Sequence, residues 1–120
     1  MLSCLAMDVR CVENERVLAK LRVLASWTNR QAALALLERF FHTADERIAA
    51  MRAALANGDT QALTSAAHTL RGASSMLDAD EVVAACLQLE AGEVAADRQQ
   101  RVVDGLDRQL AAMRELVRAF

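Results

Sequence analysis

Apolar residues recur at helical spacing along most of the chain, and the longest such run begins soon after residue 30. The intervals alternate between three and four residues through Leu34, Leu37, Phe41, Ala44, Ile48, Met51 and Leu55. This spacing keeps one side of a helix apolar, so it predicts a long amphipathic helix. We expect it to end at Asn57-Gly58-Asp59, because Gly58 can adopt the left-handed conformation and Asp59 can cap the next helix.

Four further stretches show helical periodicity, at roughly residues 14–26, 60–77, 79–91 and 96–119. Capping-box patterns, Thr28 with Gln31 and Asp78 with Glu81, predict the starts of the second and fourth helices. On the fourth helix the residues expected to face inward are Val82, Val83, Cys86, Leu87 and Leu89.

Short connections between long helices favour antiparallel neighbours. The sequence therefore predicts an all-α fold: an antiparallel up-down-up-down four-helix bundle with an additional N-terminal helix. We expect Trp27 to wedge that helix against the bundle. We assign residues 1–11 to an N-terminal tail and residues 12–120 to one bundle domain.

Composition supports a helical protein and narrows its partners. The chain is 54% hydrophobic, has 3% aromatic residues and contains no proline, which leaves few residues suited to tight turns or strands. Its net charge of −2 and the lack of a basic cluster argue against a nucleic-acid partner. No apolar run approaches the roughly 20 residues that span a bilayer, so we expect a cytoplasmic domain without membrane insertion.

The cysteines and histidines do not predict a metal site. Three cysteines occur, an odd count without Cys-x-x-Cys spacing, and the two histidines are far apart. We therefore expect no metal and no disulfide framework, and we interpret Cys86 as a small core residue.

A second stripe of residues runs along the third helix beside its apolar face. Thr64, His68, Arg71, Gly72 and Ser75 follow at i, i+4, i+7, i+8 and i+11, which places them on one side of the helix. We expect His68 to be at least partly exposed there. A lone exposed histidine is commonly just a surface residue, so its neighbours decide the interpretation.

Those neighbours favour phosphoryl chemistry. Histidine can act as a covalent nucleophile, and Arg71 would offer positive charge and hydrogen-bond donors to phosphoryl oxygens. Gly72 costs roughly 1 kcal/mol relative to alanine inside a helix, and its missing side chain leaves room for a partner beside the His68 ring. Ser75 could bond the phosphoryl group, and the small side chain of Thr64 would leave space around His68.

The segment Ala67-His68-Thr69-Leu70-Arg71-Gly72-Ala73-Ser74-Ser75 resembles the signature of histidine-containing phosphotransfer (HPt) domains. The resemblance continues through Leu77-Asp78-Ala79 to Cys86 and Leu89-Glu90. Two positions depart from the family pattern, which more often has lysine at Arg71 and glycine at Asp78.

The resemblance implies a phosphorelay carrier without kinase activity. His68 would accept a phosphoryl group from the phospho-aspartate of one receiver domain and pass it to the aspartate of another. Receiver domains of a hybrid sensor kinase or a response regulator would be the partners, and Mg²⁺ would belong to the receiver, so the carrier itself needs no cofactor. We expect a monomeric domain, free or within the cytoplasmic C-terminal part of a hybrid sensor kinase.

Two other functions fit a helical bundle. The dimerising phosphoacceptor domain of a sensor kinase also carries a histidine, but it typically has an acidic residue next and a proline soon after, whereas here Thr69 follows His68. A docking module that binds a receiver or an enzyme without chemistry stays open. No nucleotide-binding loop or catalytic triad pattern favours an enzyme.

Overall fold

The structure is a computed structural model that describes residues 8–92 and 94–118. In these residues the chain folds into five α-helices. The helices are α1 (Asp8–Trp27), α2 (Arg30–Asn57), α3 (Thr60–Ser75), α4 (Asp80–Glu90) and α5 (Ala96–Val117). Helices α2 to α5 form the bundle, and α1 packs against α2, α4 and α5. The predicted four-helix bundle with an added N-terminal helix is confirmed. None of the helices described is long and apolar enough to cross a membrane.

Ion pairs between α2 and α5 show that neighbouring helices run in opposite directions. Arg52 Nη1 lies 2.7 Å from Asp104 Oδ1, and Asp45, two turns earlier on α2, pairs at 2.9 Å with Arg114, further along α5. The two helices are therefore antiparallel, as the short connections predicted.

The connection from α2 to α3 follows the prediction. Gly58 adopts a left-handed φ of 64°, and its N–H donates to the carbonyl groups of Ala54 and Leu55. The next residue, Asp59, caps α3 by accepting a 3.0 Å hydrogen bond from the N–H of Ala62. A glycine is favoured at this position because a Cβ atom is strained at such a φ.

Both predicted capping boxes are wrong. Asn29, not Thr28, caps α2 by accepting from the Ala32 N–H at 2.7 Å, while the Thr28 hydroxyl donates back to the Leu24 carbonyl. Asp78 does not cap α4 because it has a left-handed φ of 57° as the chain leaves α3. This conformation explains why glycine suits the position, and aspartate is among the few other residues that tolerate it.

The bundle core consists of the inward faces of α2 to α5, joined by two side chains of α1. Its largest fully buried apolar side chains are Leu21, Met51, Leu70, Leu77, Leu106, Met113, Val17, Val82, Val103 and Cys86. The interpretation of Cys86 as a core residue is confirmed, and burial raises the pKa of its thiol to about 12.

Two apolar side chains expected to be buried are exposed. Leu87 is 48% exposed because the inward line of α4 passes through Val82, Cys86 and Leu89, and a residue one step from Cys86 is rotated by about 100°. Trp27 is 78% exposed at the last residue of α1, so the predicted wedge is wrong.

The N-terminal helix begins earlier than its periodicity suggested. It starts at Asp8, so residues 8–11 of the predicted tail are helical, and residues 1–7 lie outside the part of the chain that the structure describes. The division into a tail and a domain at residue 12 stays a prediction.

Candidate functional site

The stripe on α3 lies beside the buried face of the same helix, as its spacing predicted. Leu63, Ala67 and Leu70 are buried, whereas the side chain of His68 is 67% exposed. The imidazole therefore stands at the surface on a helix that the core holds in place. That exposure is what a nucleophile needs to meet a group carried by another protein.

The His68 ring is held from α4 by Glu90, the last residue of that helix. Glu90 Oε1 lies 2.8 Å from His68 Nδ1, and the Glu90 side chain is only 15% exposed. Because α3 and α4 are antiparallel, the end of α4 reaches the middle of α3. A mostly buried carboxylate thus approaches the exposed ring from its protein side.

Arg71 completes a three-residue cluster. Its Nε donates to Glu90 Oε2 at 2.5 Å, and its Nη2 lies 3.3 Å from Glu90 Oε1. The fork of donors on a guanidinium matches the two oxygens of a carboxylate. Hydrogen bonding from Arg71, with a smaller contribution from His68, holds the pKa of Glu90 below its ordinary value despite partial burial. Glu90 is therefore a carboxylate at neutral pH.

The cluster also determines which ring nitrogen carries the proton. Arg71 Nη2 lies 3.0 Å from His68 Nδ1, but a guanidinium only donates, so Nδ1 cannot serve both neighbours in the same way. The carboxylate contact is shorter, and an unprotonated Nδ1 would set a lone pair against it. We assign the proton to Nδ1, which leaves the lone pair of Nε2 directed away from the cluster.

The other residues of the stripe do not join the cluster. The Ser75 hydroxyl donates to the Gly72 carbonyl at 2.9 Å, and the Thr64 hydroxyl donates to the Thr60 carbonyl at 3.0 Å. Both hydroxyl groups thus bond the backbone of their own helix. A Cβ atom added at Gly72 would have no heavy atom within 4 Å, so no packing inside the protein requires glycine there.

Glu90 is the member of the site that the spacing of residues along α3 could not reveal. Its sole signal was its place in the Leu89-Glu90 pair of the family pattern. The other histidine, His42, is 77% exposed and lies 3.7 Å from Glu46 on its own helix, without an arginine in the contact. Among the described residues no cluster of three or more metal-binding side chains occurs. That the protein itself needs no cofactor stays a prediction.

The family model of the Hpt domain matches residues 35–119, which is more than half of the chain. No curated protein and no solved structure gives a significant match. Hpt domains are phosphocarriers of two-component signalling, and receiver domains are their typical partners. The matched region contains the whole cluster of His68, Arg71 and Glu90 on its predicted helices. The chain therefore belongs to the Hpt domain family.

Proposed function

We propose that His68 carries the phosphoryl group, which it accepts from the phospho-aspartate of one receiver domain and passes to the aspartate of another. The supporting observation is the 67% exposed imidazole whose Nδ1 is bound by the carboxylate of Glu90. Nucleophilic catalysis needs an accessible lone pair in a fixed direction. The Nδ1 contact fixes the ring, and Nε2 supplies that lone pair.

The transfer needs no proton movement at the carrier. The Nε2 lone pair attacks phosphorus, the Nε2–P bond forms, and the bond from phosphorus to the aspartyl oxygen breaks, so that the receiver recovers its carboxylate. The ring then carries a positive charge with Nδ1 still protonated. Glu90 stabilises that charge across the 2.8 Å contact. Transfer to the second receiver reverses these bond changes, and positioning and electrostatics provide the acceleration.

Arg71 acts on this chemistry in two ways. It holds the Glu90 carboxylate through two of its nitrogens, which positions the partner of the ring. Its positive charge also lies 3.0 Å from Nδ1, on the side of the ring away from Nε2, so it favours the negative charge of an incoming phosphoryl group across the ring rather than by direct contact. In this arrangement arginine suits the site because lysine lacks the planar fork.

A shallow apolar groove continues from the stripe and would receive the receiver domain. It lies between α2 and α3, two helical turns along α3 from His68, and is lined by Leu36, Arg39, Phe40, Thr43, Ala73, Met76 and Leu77. Met76 is 64% exposed, and methionine adapts its shape to a partner. Gly72 lies between the groove and the histidine, where its missing side chain lets a partner approach. Arg39 at the edge suits the acidic pocket of a receiver.

The test is phosphoryl transfer with a matched pair of histidine variants. The protein is incubated with a phosphorylated receiver, and acid-labile, base-stable label on the carrier is measured. His68→Gln should abolish the label, whereas His42→Gln, at the other exposed histidine, should keep it. Label retained by His68→Gln would overturn the assignment, and label formed from ATP alone would contradict a carrier without kinase activity.

A docking module without phosphotransfer is the second candidate, favoured by the same groove. It predicts that the protein binds receivers but takes no label from any of them. Met76→Glu separates docking from chemistry, because it should weaken receiver binding while leaving the His68, Arg71 and Glu90 cluster intact.

A further inference from the structure

A second buried polar cluster lies at the other end of α4 and is centred on Glu13 of α1. Glu13 is 1% exposed, and it precedes the residues 35–119 that match the family. Its Oε2 accepts a 3.1 Å hydrogen bond from the N–H of Glu81 and a further one from the side-chain amide of Gln109 on α5. One carboxyl group therefore joins three helices.

Glu13 supplies a cap that α4 lacks in its own sequence. The residue at the cap position is Ala79, which makes no side-chain hydrogen bond. The first N–H groups of a helix have no partners within the helix, and a side-chain oxygen normally accepts from one of them. Here the oxygen comes from another helix, because Glu13 lies on α1. The backbone N–H of Val82 also hydrogen-bonds the Glu13 carboxyl group.

The surroundings of this carboxyl group oppose a negative charge. The acidic neighbours are Asp80 and Glu81 of α4, and α5 contributes the neutral amide of Gln109. Arg16, on the same helix as Glu13, is engaged at 2.5 Å by Asp80. No residue of α2 is among the groups with the strongest effect on the charge of Glu13. The second oxygen, Oε1, is buried and has no hydrogen-bond partner among the residues that the structure describes.

Burial is the largest of these effects, and it raises the pKa of Glu13 from 4.5 to about 7. The two backbone N–H groups act in the opposite direction but do not compensate. Unlike Glu90, which faces Arg71, Glu13 has no cationic partner among the side chains that the structure describes to offset its desolvation.

We propose that Glu13 is a proton-dependent latch that holds α1 on the start of α4: the protonated carboxyl group fits the buried site, and loss of the proton weakens the docking of α1 while the bundle of α2 to α5 stays folded. Docking is then strongest in mild acid. Because the docked helix binds the proton more tightly than a released one, docking should be about tenfold weaker at pH 8 than at pH 6.

The direct test is an NMR titration of the carboxyl carbon of Glu13 in the full chain. A midpoint near 7 supports the latch. A midpoint near 4.5, the value of a solvated glutamate, overturns it. This measurement uses the unaltered protein, so it does not depend on whether a variant folds.

Hydrogen exchange at pH 6 and pH 8, corrected for intrinsic exchange rates, tests the consequence. The amides of α1 and of Glu81 and Val82 should lose about tenfold protection at pH 8, and the amides of α3 should not. In Glu13→Gln, whose side chain stays neutral, the protection of α1 should not change with pH. Equal protection at both pH values in the unaltered protein, or the same loss in Glu13→Gln, would overturn the proposal.

Discussion

A glutamate side chain lies at each end of α4, and the pKa values of the two carboxyl groups are shifted in opposite directions. At the C-terminal end, Glu90 faces the Arg71 guanidinium, and its pKa is lowered. At the N-terminal end, burial raises the pKa of Glu13 to about 7, with smaller contributions from the acidic Glu81 and Asp80. Burial disfavours the charge at both ends, so the nearby cation decides the sign of the shift.

The difference between the two pKa shifts matches the role of each end of α4. A charged carboxylate at Glu90 orients His68, and in the proposed transfer it would balance the positive ring, which only an ionised group can do. A neutral carboxyl group at Glu13 fills a buried junction of helices, where a charge would be costly. Helix α4 thus connects the charged cluster at Glu90 to the buried helix junction at Glu13, where a negative charge is disfavoured.

The largest expected effect concerns the packing that holds Glu90 in place. Leu89 is 2% exposed beside it, so Leu89→Ala should lower the free energy of unfolding by about 2–5 kcal/mol. The control is Leu87→Ala on the same helix, which is 48% exposed and should cost well under half as much. Urea denaturation followed by circular dichroism measures both. Equal losses would contradict the assignment of the inward line of α4.

The next effect concerns the charge at the C-terminal end. Glu90→Gln keeps the size of the side chain but loses the charge that binds Arg71 and stabilises the ring. We expect the rate of His68 phosphorylation by a phosphorylated receiver to fall about 10–100-fold, by analogy with the loss of the partner that orients a metal-ligating histidine.

Glu46→Gln is the matched control for that variant, because Glu46 contacts the other histidine, His42, at 3.7 Å on the surface. Its transfer rate should equal that of the unaltered protein. A Glu90→Gln variant that folds and transfers at full rate would reduce Glu90 to a structural residue.

The last effect, the smallest when taken per pH unit, is the most direct comparison of the two ends. Glu13 binds its proton more tightly in the folded state, so the unaltered protein should lose stability relative to Glu13→Gln as the pH rises from about 4.5 to 7. The change should reach at most about 1 kcal/mol per pH unit. Glu90 has the opposite sign: its lowered pKa adds stability at neutral pH, and that contribution is lost as the pH falls below 4.5.

Chemical denaturation of the three proteins between pH 3 and pH 8 checks both signs. Stability differences that change in the same direction for Glu13→Gln and Glu90→Gln would contradict the comparison.

Sequence periodicity predicts the parts of this fold that depend on one helix at a time. The alternating spacing of α2 and the stop at Gly58 lie within single segments, so they could be recognised. The caps of α2 and α4 could not, because several polar residues near a helix start compete for that position. For α4 the acceptor is Glu13, 68 residues before its partner Glu81.

The candidate site divides in the same way. His68 and Arg71 share a face of α3, and their spacing alone places them together. Glu90 comes from another helix, 22 residues away, and only the packing of α3 on α4 brings it to the ring. The hydroxyl groups of Ser75 and Thr64 could not be assigned from spacing, because bonding to the backbone of their own helix competes with any ligand.

The cap that α1 provides to α4 has a consequence for anyone who wishes to cut or transplant this domain. The family match begins at residue 35, and a fragment trimmed to it would lose Glu13 together with Val17 and Leu21, both 0% exposed in the intact chain. Such a fragment would leave α4 uncapped and an apolar surface open to water. A portable unit that keeps α4 capped and this apolar surface covered therefore starts before α1, upstream of the boundary that family similarity suggests.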